Sequence, residues 1–432
     1  MVSILALSIA LTCILQAAWF KRDFFSPLNI FVFTQSTTFG VAYLKFAPQM
    51  TDFKAHTWWV YLSASVSFIM GCLLVYLISY NMPWFKNFKL SPWFKEHQEY
   101  DPAVYNWHLH FIFSLVAWVI YMSGILAAYL KAGTLILFSG KIGSYMGQDW
   151  NIGYFTFPMH SVGLCVLLFG VASFKSLNPY VSIRIWSRLF VVLSIAAIVI
   201  MYPNRTNIMI ATGFLIILFN YSTRRIPVRL IAFLFASAIA LFILIGELKD
   251  QYASSGGVEK MKVEVLNLPY MYIANNYWNL DYALNPPSDR EIHPFTWGVD
   301  ALDGALEFGL TPQFQSAYHW DNLFNGRIQK KTGLNTISYV WQAYKDWSYF
   351  GVVFFPFLVG MALTWLYLKL RRSPSIPKLL FHTFLIYLLG WWWFIEGYKQ
   401  GLFWLWAYFL ILTTLFCSKR IARHRVAQAT ES

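Results

Sequence analysis

Three places in the chain combine residue types that can do chemistry. Arg205 stands in Pro203-Asn204-Arg205-Thr206, a turn of a few residues between two apolar runs. A guanidinium at the edge of a hydrocarbon layer faces a desolvation penalty of about 3 kcal/mol or more. It therefore either turns into the protein to meet an anion or snorkels to the headgroups. Its planar fork suits phosphate or pyrophosphate oxygens. His319, in Tyr318-His319-Trp320-Asp321, carries an imidazole that can take a proton from a sugar hydroxyl near neutral pH, the competing reading being a histidine satisfied by the loop backbone. Lys345-Asp346 comes directly before a long apolar run, amid Trp341, Tyr344 and Trp347. It reads either as a local ion arrangement at a helix end or as a substrate-facing pair.

Other polar residues are weaker candidates. His293, beside Pro294, is a lesser competitor to His319. His108 and His110 are two residues apart and point to different sides of a helix. Asp300 and Asp303 lack the further oxygen ligands of a divalent-metal site, and no metal is expected. Cys13, Cys72, Cys165 and Cys417 fall inside apolar runs, where a thiol behaves as a small apolar group, and form neither a CxxC pair nor a zinc set. Aromatic residues make up 20% of the chain. Most of the tryptophans fit an interfacial belt, and those in outer segments, Trp278, Trp297, Trp320 and Trp341, offer faces on which a sugar can stack.

The elements that must position these residues are membrane helices. Hydrophobic residues are 58% and charged residues 12% of the 432, and apolar runs long enough to cross about 30 Å of hydrocarbon recur throughout. The fold class expected is an all-α polytopic membrane protein of about eleven transmembrane helices with one large extracytoplasmic loop. The spans expected are 2–20, 28–45, 57–80, 108–130, 153–174, 189–202, 207–220 and 229–245, then 347–368, 379–396 and 402–417. Between the two groups lies the loop, 246–346. Its periodic apolar and aromatic residues over Val263–Leu284 and Gly298–Phe308 suggest interfacial helices lying over the outer mouth of the bundle. Residues 418–432 form a basic tail. The first run lacks a basic leader and a small-residue cleavage site, and is expected to stay as a helix.

More than half of the 33 Lys and Arg residues collect on one side of this arrangement, including Lys21, Arg22, Arg224, Arg225, Arg371, Arg372, Arg420 and Arg423. Cationic flanks resist translocation, so that side is cytoplasmic, the N-terminus and the large loop are outside and the C-terminus is inside. The formal charge of +13 is then the signature of this bias and of attraction to anionic membrane lipids, and calls for no nucleic acid.

Several of these segments resemble the oligosaccharide repeat unit polymerase family, the Wzy-type O-antigen and capsule polymerases. Pro203 to Ala211, Pro-Asn-Arg-Thr-Asn-Ile-Met-Ile-Ala, is similar to that family's arginine-bearing start of a span after a short outer turn. Tyr270-Met271-Tyr272-Ile273-Ala274 resembles its segment after the loop opens. Asn335-Thr336, then Tyr344-Lys345-Asp346-Trp347-Ser348, then Gly351, is similar to its Thr…Tyr-x-Asp-Phe-Gly-x-x-Gly re-entry motif, with Trp347 for the phenylalanine and Ser348 for the first glycine. The likeness extends in architecture over the whole chain and in residues over about a fifth of it.

The resemblance implies a GT-C-like glycosyltransferase of the bacterial inner membrane, independent of metal and cofactor. It would join undecaprenyl-diphosphate-linked oligosaccharide repeat units at the periplasmic face into a surface polysaccharide such as the O-antigen of lipopolysaccharide, with a chain-length regulator as a further partner. On that footing Arg205 binds the diphosphate with Arg290, Arg327 and Lys345, His319 or Asp346 is the base, and Tyr344, Trp320 and Trp341 contact sugar. An O-antigen ligase shares topology and chemistry and differs in acceptor. A lipid-linked oligosaccharide flippase is the other alternative, although it would place polar residues at mid-membrane. A non-enzymatic assembly partner would leave Arg205 without an anion.

Overall fold

In a computed structural model the chain is helical, and the structure describes residues 2–19, 23–46, 52–81, 105–132, 156–201, 205–223, 226, 230, 233, 267–285, 298, 337–394 and 401–418. In chain order the helices are α1 (Val2–Trp19), α2 (Pro27–Ala42), α3 (Ala55–Asn81), α4 (Trp107–Ala132), α5 (Thr156–Met159), α6 (Val162–Ser173), α7 (Val181–Met201) and α8 (Arg205–Ser222). They are followed by α9 (Asn267–Leu284), α10 (Tyr339–Arg372), α11 (Ile376–Gly390) and α12 (Gly401–Cys417). Among the described residues there is no strand, and an isolated bridge, Tyr105 to Ser418, ties the start of α4 to the end of α12. Local chemistry sets several ends. Ser26 caps α2 by accepting from the Asn29 amide, with Pro27 at the first helical position, where its missing N–H is of no consequence. Ser338 caps α10 in the same way through Val340.

α3, α4 and α10 are long and apolar enough to cross a membrane, and α1, α6, α8, α11 and α12 are shorter apolar helices. These features are compatible with a membrane protein. The eighth expected span, 229–245, lies almost wholly outside the described residues. The fifth is not continuous: α5 and α6 are separated by a turn at His160 and Ser161. Apolar side chains point away from the bundle at helical spacing, with Trp59, Leu62, Val66, Met70 and Leu77 on α3 and Ile112, Val116, Val119 and Leu126 on α4. Such rows are unfavourable against water and natural against lipid. α6 instead is buried from Val162 to Ala172, as expected of a helix that is apolar all round.

Helices approach closely where glycine allows it. A Cβ added at Gly71 of α3 would lie 2.1 Å from the Phe357 carbonyl oxygen, and one at Gly360 of α10 2.4 Å from that of Phe68. The two helices therefore cross backbone to backbone, and the Cys72 thiol adds a 3.5 Å contact to the Gly360 carbonyl. All four cysteines are buried free thiols. His110 is a satisfied core histidine between Tyr105 and the Leu168 carbonyl, while His108 packs on Tyr180.

At the end of the bundle that carries Arg371 and Arg372, Asp23 is buried in the turn before α2. It accepts from the Phe25 amide (3.0 Å) and from the Tyr221 hydroxyl (2.9 Å), and Tyr221 in turn meets His382 Nε2 at 3.0 Å. Burial pushes the Asp23 carboxyl above its usual range, against the opposing pull of the Arg371 charge and of the Tyr221, Tyr367 and Phe25 hydrogen bonds. This network fastens the α1–α2 turn to α8, α10 and α11.

Candidate functional site

The re-entry segment begins earlier than the sequence suggests. Residues 339–346 are helical, and the expected span from Trp347 is the continuation of that helix beyond a break. The lead-in is held by packing: the Tyr339 ring stacks on Trp392 with centroids 4.6 Å apart, and the Tyr339 amide donates to the Trp392 carbonyl (3.1 Å). Trp341 and Tyr344 lie face to face at 6.3 Å, and Tyr344 reaches His56 of α3 at 5.6 Å. Lys345 and Asp346 are 3% and 1% exposed. Charges removed from water to this degree require partners, so a pair of freely solvated surface ions is excluded.

Directly after Asp346 the helix breaks. Trp347 adopts φ −138°, ψ 22°, and Ser348 adopts φ 56°, ψ −142°, a region that glycine occupies freely and a side chain occupies at a cost of about 1–3 kcal/mol. Three residues on, Gly351 has no room for a Cβ, which would lie 2.1 Å from the Ala343 carbonyl oxygen. The Trp347 indole covers Gly298, itself at φ 86°, and so pins one point of the long loop to the break. Ser348→Gly is expected to raise stability by about 1 kcal/mol, read as a higher Tm of the detergent-purified protein. Ser348→Val, which adds a β-branch to the same backbone, is expected to lower it by more than that. A Tm that falls on Ser348→Gly would refute strain at this position.

α9 packs over the last turns of α2 and the first turn of α3, and against α10. The reason lies in its polar residues. Tyr277 shares a hydrogen bond with Thr38 (2.7 Å), Tyr270 donates to the Ala42 carbonyl (3.0 Å), and Asp281 accepts from the Lys54 amide and the Thr57 hydroxyl. Asp281 thus satisfies free donors at the start of α3, and its role is structural. Helical spacing puts Tyr272, Asn275, Asn276 and Asn279 on the opposite face, where Tyr272 lies 6.1 Å from the Phe394 ring. Asn275 is 1% exposed, and neither its amide nitrogen nor its oxygen finds a hydrogen-bond partner among the described residues; the Asn276 oxygen is in the same state. An amide so placed costs about 1–3 kcal/mol.

Arg205 is the first residue of α8. Gly213, two turns later, lies under the Tyr387 ring of α11, so Arg205 stands about 12 Å further along the axis. That direction leads to the end where α11 gives way to the Trp391–Phe394 turn, whose Trp392 packs on Tyr339 of the α10 lead-in. Asn207, the third residue of α8, meets His160 Nδ1 at 3.3 Å. The sequence reads 153–174 as one continuous span and so does not single out His160; an imidazole inside an apolar run is the signal that marks it.

The structure thus brings Trp341, Tyr344, Lys345 and Asp346 together on one lead-in. His319, Trp320, Arg290 and Arg327 lie outside the described residues, as do His293, Asp300 and Asp303. Among the described residues no three His, Cys, Asp or Glu side chains converge. Comparisons with family models, with curated proteins and with solved structures found no match to this chain.

Proposed function

We propose that the protein is a membrane-embedded glycosyltransferase that joins undecaprenyl-diphosphate-linked oligosaccharide repeat units into a surface polysaccharide at the periplasmic face of a bacterial inner membrane. One observation carries this reading. The resembled re-entry motif has glycine at the positions of Ser348 and Gly351, and here the backbone takes a glycine conformation at the first and excludes a Cβ at the second. The motif's aspartate, Asp346, and Lys345 at its variable position are buried directly before the break. Short sequence likeness and independent backbone demand coincide residue by residue.

In this reading the chain crosses the membrane about eleven times in a GT-C-like arrangement, with the N-terminus in the periplasm. The bond between the anomeric carbon of the growing glycan and its diphosphate breaks, and that carbon bonds to a hydroxyl oxygen of the next lipid-linked unit. The hydroxyl proton passes to a base, His319 or Asp346, and undecaprenyl diphosphate leaves with both electrons of the broken bond. Cations lower the barrier where negative charge develops, and Arg205, Arg290, Arg327 and Lys345 are the side chains suited to that. Tyr344, Trp320 and Trp341 supply faces for sugar rings.

The test is complementation. In a strain that makes and exports the lipid-linked repeat unit but lacks its polymerase, this protein is expected to turn a single-unit surface glycolipid into a ladder of lengths on a gel. A glycolipid that stays at one unit sinks the proposal. So does loss of even the single-unit product when the gene is removed from its own host, since export or ligation is then the missing step.

A further inference from the structure

We infer that the inner face of α9, centred on Asn275, is the part of the site that reads the sugar of the lipid-linked oligosaccharide by hydrogen bonds from its amide. The face turned to α2 and α3 is fully used, through Tyr270, Tyr277 and Asp281. The opposite face carries Asn275, 1% exposed with donor and acceptor both unbonded among the described residues, and Asn276, whose oxygen is likewise unbonded. A fold gains nothing from an amide held in that state, whereas a ligand hydroxyl satisfies it on both sides, because a hydroxyl donates and accepts and a primary amide does the same. The neighbours are of the matching kind. Tyr272, one turn before Asn275 on the same face, stands beside Phe394 in the aromatic turn, and a ring next to an amide suits a pyranose, whose C–H faces stack while its hydroxyls bond in plane. The amide is neutral, which points to sugar hydroxyls and away from the diphosphate.

This inference rests on the polymerase reading, and its test separates the two. The full chain, purified in detergent, is titrated with the oligosaccharide freed by mild acid from the host's lipid-linked repeat unit, following tryptophan fluorescence. Undecaprenyl diphosphate without sugar is titrated in parallel. Asn275→Leu is expected to weaken the oligosaccharide about tenfold, to leave undecaprenyl diphosphate binding unchanged and to keep or raise Tm, because it deletes an unbonded buried amide. Where leucine does not pack, Asn275→Ala carries the same test without needing room. Oligosaccharide binding within twofold of wild type overturns the inference, as does equal loss of both ligands. A fall in Tm alongside lost binding also overturns it, since the amide then serves the fold. A wild type that never lengthens glycan sinks the polymerase reading instead, and a lengthening wild type whose Asn275→Leu variant still binds the oligosaccharide sinks this inference alone.

Discussion

Arg205→Ala is expected to reach the membrane at wild-type abundance and to slow repeat-unit addition by at least about 100-fold, or about 2.7 kcal/mol of barrier. Both halves of this expectation follow from position. Arg205 opens α8, and a cation in the first turn of a helix opposes the positive end of the helix dipole. The helix gains no stability from it, and alanine, the best helix former, replaces it without loss. What a guanidinium and a helix N-terminus each favour is an anion, since both offer N–H donors and positive potential. On the proposed reading, removing the guanidinium removes a cation that would meet the charge building on the departing diphosphate. Arg205→Lys keeps the charge, loses the two-pronged geometry and is expected to fall between, at about a tenfold loss. The measurement is the initial rate of lengthening in membrane vesicles supplied with single-unit lipid donor, normalised to protein abundance. If Arg205→Ala adds units at the wild-type rate, the guanidinium belongs to the lipid headgroups.

The three long apolar helices are legible because their signal is local. The apolar runs of α3, α4 and α10 appear in the composition of consecutive residues, and so does the charge bias around Arg371 and Arg372. The lead-in at 339–346 was not legible, because Trp341, Tyr344, Lys345 and Asp346 read as the polar edge of a loop. Their helix depends on Tyr339 stacking on Trp392, far along the chain. The partners of α9 are hidden for the same reason. Its periodic apolar and aromatic residues suggest a helix over the bundle mouth, and they do not tell that Tyr277 and Asp281 are bonded to Thr38 and Thr57, more than 200 residues earlier. Asp23 with Tyr221, and Tyr221 with His382, are 198 and 161 residues apart in sequence. Periodicity reports which side of a helix is polar, and it does not report whether that polarity meets water, a ligand or another helix. Ser348 is the instructive exception. A departure from the resembled motif marked the position, and the structure supplies the reason, a backbone conformation that glycine adopts without strain.

The second large effect is expected at the α3–α10 crossing. Gly360→Leu should leave little or no folded protein in the membrane, and Gly71→Ala should lower Tm substantially, because in each case the new Cβ meets backbone. At 2.1 Å from the Phe357 oxygen and 2.4 Å from the Phe68 oxygen, neither contact is relieved by turning a side chain. The helices must part by about 1 Å to restore van der Waals distance, and all the contacts along the crossing then loosen together. Overpacking of this kind costs about 1–3 kcal/mol where side chains yield and more where backbone must. Lipid offers no hydrophobic compensation, since packing is what holds membrane helices together. The two sites share one crossing, so Gly71→Ala and Gly360→Ala should not add: once the first has parted the helices, the second costs less than it does alone. Gly390→Ala is the control, as its Cβ meets nothing nearer than Ile30 at 3.9 Å and should leave stability within about 0.5 kcal/mol of wild type. α10 carries Lys345 and Asp346, so the Gly71→Ala protein that survives should also lengthen glycan more slowly. Additive effects of the two alanines, or full abundance of Gly360→Leu, would show that the helices do not meet at these glycines.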